Sequence, residues 1–302
     1  MILKHVVESQ QFTVPMLVEL FNLADGMERI VDRGGTGDYS NRIMASLFYE
    51  HSTRTRFSFE SAMLRLGGKI LATENADQFS SLMQGETLED TVRVVANYSD
   101  VIVVRHNEVG GAVRAAEVSS VPVINAGDGK GGQHPTQALL DLYTIHREIK
   151  TIDGVKIAMV GNLAEGRTVR SLSYLLGKFE RVKLYFIAPK TLRMKQDITD
   201  YLQHHNVWYT EEEYLGKIVN EVDVVYMTRL EPAERIGIEP GHFFIDESIM
   251  KHLPHKSIVM HPLPRANEIS ATVDRDPHAA YFRQTRNGIL VRMALLVSVL
   301  DN

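Results

Sequence analysis

Ser52-Thr53-Arg54-Thr55-Arg56 gathers three hydroxyls and two guanidinium groups in consecutive positions. The stretch follows the apolar run Ala45-Ser46-Leu47-Phe48-Tyr49 and precedes residues 57–68, whose spacing predicts a helix closed by glycine. A helix N-terminus offers unpaired N–H groups and a partial positive charge, so hydroxyls and guanidiniums placed there form a cradle for an anion such as phosphate. The same residues also suit a plain helix cap by Ser52 or Thr53 beside two solvated arginines, and taken alone they do not separate the two readings.

Other polar groups recur where short apolar runs end. Arg105-His106 follows Val101-Ile102-Val103-Val104, and His134 and Gln137 flank Pro135. Residues 161–168, Gly-Asn-Leu-Ala-Glu-Gly-Arg-Thr, nearly satisfy the nucleotide P-loop pattern, but Arg167 stands where that pattern needs lysine. A planar guanidinium fork suits a carboxylate better than the position between nucleotide phosphates. Arg229 likewise follows a short apolar run, Val224-Val225-Tyr226-Met227-Thr228. Either arginine taken alone is better read as one half of a surface ion pair. His204-His205 lacks a carboxylate at metal-ligand spacing and reads as a solvated helix face, so no metal is expected.

These groups need strands and helix starts to hold them. Residues 42–49, 69–72, 101–104 and 121–125 read as strands of a first unit, and 156–160, 183–187, 222–228 and 257–260 as those of a second. Alternation with helical periods predicts an α/β fold: two doubly wound parallel-sheet domains joined by helices. The helix from Pro135 is expected to connect them, and the apolar helix over 288–300 to pack back on the first. The boundaries expected are 1–134 plus 286–302 for the first domain and 135–285 for the second. In such sheets ligands collect at the carboxyl ends of strands.

Composition narrows the chemistry. The 302 residues are 44% hydrophobic and 24% charged, with a net charge of -5, so a nucleic acid is not an expected partner. The acidic Glu8 stands where a signal peptide needs an apolar core, and no run approaches the roughly 20 apolar residues of a membrane span. A cytoplasmic protein with no membrane partner is the expectation. With no cysteine, thiolate nucleophiles, disulfides and thiolate-bound metals are excluded.

Ser52-Thr53-Arg54-Thr55-Arg56 after a strand resembles the carbamoyl-phosphate signature of the aspartate and ornithine carbamoyltransferase family. The resemblance continues in order through Arg105-His106, Asn125-Ala126-Gly127-Asp128-Gly129, Gln133-His134-Pro135-Thr136-Gln137, Gly166-Arg167-Thr168, Thr228-Arg229 and His261-Pro262-Leu263-Pro264-Arg265. The last motif favours the aspartate branch, since the ornithine branch carries a cysteine there. The resemblance implies that Ser52, Thr53, Arg54 and Thr55 hold the phosphate. It implies that Thr55, Arg105 and His134 are catalytic, binding the carbonyl oxygen of carbamoyl phosphate, and that Gln137 and the carbonyls of Pro262 and Leu263 orient its NH2 group and the incoming amine. Arg167, Arg229 and Gln84 would bind aspartate, with Glu50 beside Arg167. Fixed donors at the carbonyl would stabilise charge growing there in the transition state, with no metal or other cofactor.

The implied reaction is transfer of the carbamoyl group to L-aspartate, the committed step of pyrimidine synthesis. The implied assembly is a homotrimer whose active sites are completed by a neighbour's loop, with room for a regulatory or dihydroorotase-like partner chain. Three departures bear on the acceptor: Gln84 replaces a lysine, Glu231 a glutamine and Asn162 an aspartate. They leave open a different amino acceptor, a substitute cation such as Lys130, or a catalytically weak paralogue acting as a structural or regulatory subunit.

Overall fold

The computed structural model describes residues 3–74, 85–231, 234 and 242–301. The chain divides into two compact units, Met1–Leu140 with Arg286–Asn302, and Asp141–Thr285.

The first unit carries strands β1 (Ile43–Phe48), β2 (Lys69–Glu74), β3 (Val101–Arg105) and β4 (Val123–Asn125). All pair in parallel, in the order β2-β1-β3-β4. Its helices are α1 (Val14–Asp32), α2 (Thr53–Arg65), α3 (Leu88–Val95) and α4 (Gly111–Val118), with the start of α5 (Pro135–Ile149). The second unit holds β5 (Lys156–Val160), β6 (Lys183–Ile187), β7 (Trp208–Glu212), β8 (Val224–Met227) and β9 (Ile258–Met260), again all parallel, in the order β7-β6-β5-β8-β9. Helices α6 (Arg167–Leu176), α7 (Gln196–His204) and α8 (Glu247–Met250) belong to it, and α9 (Tyr281–Leu300) closes the described chain. Among the described residues no helix is long and apolar enough to cross a membrane.

The expected α/β architecture is therefore observed. Its central strand β3 is an unbroken β-branched run from Val101 to Val104, as a parallel strand covered on both faces requires: every residue of β3 is buried, and a buried valine or isoleucine contributes about 1.5–3 kcal/mol. Strands held this firmly fix where their carboxyl ends stand. The last helix returns to the first unit as expected, with Arg292 Nη1 donating to Ser58 Oγ at 2.7 Å and its guanidinium over the Phe59 ring at 5.0 Å.

Several elements differ from the sequence reading. Helix α2 begins at Thr53 rather than Phe57, because Ser52 is non-helical (φ -159, ψ 73) and its carbonyl accepts the first helical bond from Arg56 N at 3.0 Å. Helix α9 begins at Tyr281 rather than at residue 288. Strand β7 and helix α1 were not anticipated. The first is an edge strand with Thr210, Glu211 and Glu212 half exposed; the second is signalled by the Thr13 cap, whose Oγ1 accepts from Met16 N at 3.4 Å.

Candidate active site

Each sheet reverses its winding beside its first strand, between β1 and β3 in one unit and between β5 and β8 in the other. Ligand sites of doubly wound sheets gather at such points. The polar groups singled out above stand there.

In the first unit Phe48 is paired with Arg105, and Tyr49 N extends the ladder by donating to Arg105 O at 2.9 Å. This register sets Arg105 beside the loop Glu50-His51-Ser52 that enters α2. Ser52 occupies the cap position of α2, but its hydroxyl makes no capping bond, so the plain-cap reading of Ser52 is not what the fold uses. Thr53 and Arg54 are exposed and Thr55 is buried in the first turn. Arg56 turns along the helix instead, its Nε lying 3.7 Å from Glu60.

Arg105 is buried, and its fork is fixed by two partners that sequence reasoning missed. Nη2 lies 2.8 Å from Glu50 Oε2, and Nη1 donates to Ala126 O at 3.0 Å. The charged pair lowers the tendency of a long side chain to wander and aims its plane. Glu50 thus serves Arg105 within its own unit.

Beyond β4 the chain turns sharply. Asn125 Oδ1 accepts from Gly127 N at 2.7 Å, and Gly127 O accepts from His106 N at 3.1 Å. Gly127 has φ +122, and a Cβ there would stand 2.5 Å from Arg105 Nη1 and 3.4 Å from His134 Cδ2. Arg105 and His134 are therefore brought together across a glycine. His134 and Gln137 are both buried at the start of α5, where His134 O accepts from the N–H groups of Gln137 and Ala138, each at 3.1 Å. His134 Nδ1 lies 3.4 Å from Thr136 Oγ1. Asp128 accepts from Gly110 N and Ala112 N at 3.3 and 3.2 Å, which ties this turn to the start of α4.

In the second unit Val160 pairs with Met227, and Thr228 donates to Val160 O through both N and Oγ1, each at 2.8 Å. Gly161 follows with φ +121, pressed so closely on Thr228 that a Cβ would lie 2.4 Å from its Oγ1. The loop to Arg167, first residue of α6, and the segment carrying Arg229 thus leave adjacent strand ends. Thr168 hydrogen-bonds the buried Tyr226, which is a use no P-loop makes of that hydroxyl.

Two of the residues that depart from the family pattern, Asn162 and Glu231, share Glu234 as a partner. Arg229 Nη2 lies 3.2 Å from Glu231 Oε2. Glu231 N donates to Glu234 Oε2 at 2.8 Å, and Asn162 Nδ2 donates to Glu234 Oε1 at 2.6 Å. An aspartate at position 162 would set two carboxylates face to face, so the amide answers Glu234. Pro262 and Leu263 are half buried after β9, with Leu263 at φ +56 and a cis bond to Pro264. Arg265 pairs with Asp274 and Glu268 with His261, which braces the loop inside its own unit. Gln84 lies outside the described residues. Among those residues no group of three or more His, Asp or Glu is placed to hold a metal ion.

The chain matches two family models, "Aspartate/ornithine carbamoyltransferase, carbamoyl-P binding domain" over residues 4–147 and "Aspartate/ornithine carbamoyltransferase, Asp/Orn binding domain" over residues 153–299. It is 51% identical over 304 residues to the chloroplastic aspartate carbamoyltransferase of Oryza sativa subsp. japonica, covering 96% of this chain and 83% of that one. It is 44% identical to the aspartate carbamoyltransferase catalytic subunit of Methanocaldococcus jannaschii, with 99% of each chain covered. Its fold superposes with a TM-score of 0.93 on aspartate transcarbamoylase from Trypanosoma cruzi in complex with carbamoyl phosphate and aspartate, at 42% identity over 98% of this chain and 95% of that one. With both halves matched in order and the strand-end groups where the motifs set them, the chain belongs to the aspartate/ornithine carbamoyltransferase family.

Proposed function

We propose that the chain is an aspartate carbamoyltransferase, moving the carbamoyl group of carbamoyl phosphate to the amino group of L-aspartate to give N-carbamoyl-L-aspartate and phosphate in pyrimidine synthesis. The observation that carries the assignment of roles is the fixed Arg105 fork beside the open first turn of α2. The N–H groups of that turn, with Ser52, Thr53, Arg54 and Thr55, take the phosphate. Thr55, Arg105 and His134 donate to the carbonyl oxygen; His134 does so in the tautomer that carries its proton on Nε2 and accepts at Nδ1 from Thr136 Oγ1, 3.4 Å away. The amine attacks the carbonyl carbon, the C–N bond forms, and the C–O bond to phosphate breaks. Charge that grows on the oxygen during attack meets donors already in place. Gln137 and the carbonyls of Pro262 and Leu263 orient the NH2 group and the amine. Arg167 and Arg229 grip the two carboxylates of aspartate, and Gln84 offers its amide to them from a neighbouring subunit.

A trimer is the assembly we infer. Phe57 and Leu64, 56% and 60% exposed, stand on one face of α2 and line an open groove of about 430 Å³ with Gly34, Glu60, Ser61 and Arg65. An apolar face of this kind suits burial against a second copy. The proposed compartment is the cytoplasm, although the rice relative is named chloroplastic.

One experiment tests reaction, acceptor and assembly together. Purified chain should sediment at three times its mass and form carbamoyl-aspartate from carbamoyl phosphate and aspartate in preference to a panel of other amines. A phosphonate joined to aspartate should bind at least a hundredfold more tightly than aspartate, because it spans both halves (about 10²-fold or more). Preference for another amine, or a mimic that binds no better than phosphate, would overturn the reading.

Glu231 makes a separate expectation. It holds Arg229 in a half-exposed ion pair, with side chains 41% and 57% exposed, and such pairs contribute at most about 1 kcal/mol. Aspartate must displace this carboxylate. Glu231→Gln should therefore lower the KM for aspartate by up to about fivefold and leave kcat unchanged. A raised KM would mean that Glu231 recognises an amino group of some other acceptor.

A further inference from the structure

The backbone of Leu263 is left-handed (φ +56), a conformation that a bulky L-residue keeps only where its surroundings impose it. The surroundings here form a directed chain of hydrogen bonds. Leu263 N donates to His261 Nδ1 at 2.7 Å, so the ring proton stands on Nε2, which faces Glu268 Oε1 at 2.9 Å. The backbone N of His261 donates to Gln284 Oε1 at 3.0 Å. Gln284 Nε2 donates to Asp141 Oδ1 at 2.6 Å, and the hydroxyl of Tyr226 donates to Asp141 Oδ2 at 2.6 Å. Asp141, Tyr226, Gln284, His261 and Glu268 are all buried.

A carboxylate only accepts, so Asp141 decides which end of the Gln284 amide faces it, and that decides that an oxygen faces His261. A buried carboxylate is costly to desolvate, and Asp141 offsets that cost by accepting from two buried donors that would otherwise lack an acceptor. What the carboxylate adds is direction. Glu268 does the same from the other side: it accepts from His261 Nε2, which leaves Nδ1 free of a proton to accept from Leu263. It also receives Ala266 N at 3.1 Å, closing the loop on itself.

We propose that Asp141, Gln284 and Glu268 are positioning residues for carbamoyl transfer, setting the hydrogen-bond direction that holds the Pro262 and Leu263 carbonyls toward the carbamoyl NH2 group. The inference rests on the role given to those carbonyls in the proposed function. Because all three are buried and act through the loop, their effect should fall on the reaction step and spare the phosphate cradle.

The test compares Gln284→Met, Asp141→Leu and Asp141→Asn in the assembled protein. Gln284→Met keeps the side chain's length and removes its polar ends. It should lower kcat for carbamoyl-aspartate formation about 10- to 100-fold, the range expected when a reacting group is displaced by an ångström or less. The Kd for inorganic phosphate, read by calorimetry, should stay within about twofold, since the Ser52–Thr55 cradle is untouched. Asp141→Leu should match Gln284→Met. Asp141→Asn can still offer an oxygen to Gln284 and should keep kcat within about fivefold of the parent. A Gln284→Met variant with kcat within about threefold of the parent overturns the proposal, as does an Asn variant no better than the Leu variant. If Asp141→Leu fails to fold, the Gln284→Met and Asp141→Asn pair decides. A parent that binds phosphate but forms no carbamoyl-aspartate would instead overturn the reading beneath.

Discussion

Arg105→Ala is expected to lower kcat by about 10² to 10³, equivalent to about 2.7–4 kcal/mol of transition-state stabilisation, the loss seen when one preorganised oxyanion donor is removed. The expectation follows from how the side chain is held. Glu50 and the carbonyl of Ala126 lock two ends of the guanidinium at 2.8 and 3.0 Å, so reaction spends nothing on reorienting it. Stability should fall far less. The Glu50 side chain is 37% exposed and can rehydrate, so losing the pair removes on the order of 1 kcal/mol or less, plus the packing of the arginine stem. Arg105→Lys keeps the charge but cannot reproduce the fork, and should lie between the two. Steady-state kinetics beside urea unfolding separate the effects. A kcat within threefold of the parent would remove Arg105 from the reaction, and a loss of kcat that tracks unfolding would make it structural.

The parts of this molecule that sequence made legible are those in which local residue type and long-range packing agree. Val101-Ile102-Val103-Val104 could hardly be anything but a covered parallel strand, and all of it is buried. Pro135 opened a helix where fixed φ suits a first turn. Strand β7 failed the same test because an edge strand need not be apolar on either face. Trp208-Tyr209-Thr210-Glu211-Glu212 becomes a strand through its register with β6, Phe186 opposite Glu211, and a pairing partner is not written in the run itself. Helix α1 was within reach: Thr13 and Pro15 stand at its start, and Leu17, Leu20, Phe21 and Ala24 form its buried stripe.

For the site, motif order named the residues but not who holds them. Glu50 and Arg105 are 55 positions apart and meet only because β1 and β3 are neighbours with Phe48 opposite Arg105. Glu231 is odd by sequence, and the structure gives it a definite act, engaging Arg229. Asn162 and Glu234, 72 positions apart, make a mutually consistent pair that neither residue announces alone. Loops after strand ends take their partners from non-local neighbours, so their contacts wait for the fold.

Gly127 gives the second large expected effect, and it is one that motif reading left without a role. Gly127→Ala should lower kcat about a hundredfold, by displacing groups that sequence reasoning placed at the carbonyl oxygen. A methyl group there would meet Arg105 Nη1 at 2.5 Å, closer than atoms pack, and approach His134 Cδ2 at 3.4 Å. The arginine is the group that must give way. Its Nη1 is bonded to Ala126 O and its Nη2 to Glu50, so moving the fork breaks the aim of the donor as well as the contact. The backbone adds to the effect, because φ +122 lies outside the ordinary range of a residue with a Cβ, and strain of about 1–3 kcal/mol should appear as lost stability. The two consequences can be told apart. Phosphate affinity, which the proposed function assigns to the first turn of α2, should change little, whereas carbamoyl phosphate should bind more weakly and react more slowly. Phosphate and carbamoyl phosphate titrations with a thermal melt make the comparison. If the alanine variant keeps both its kcat and its carbamoyl phosphate affinity, Arg105 and His134 are not held at the reacting carbonyl by this turn.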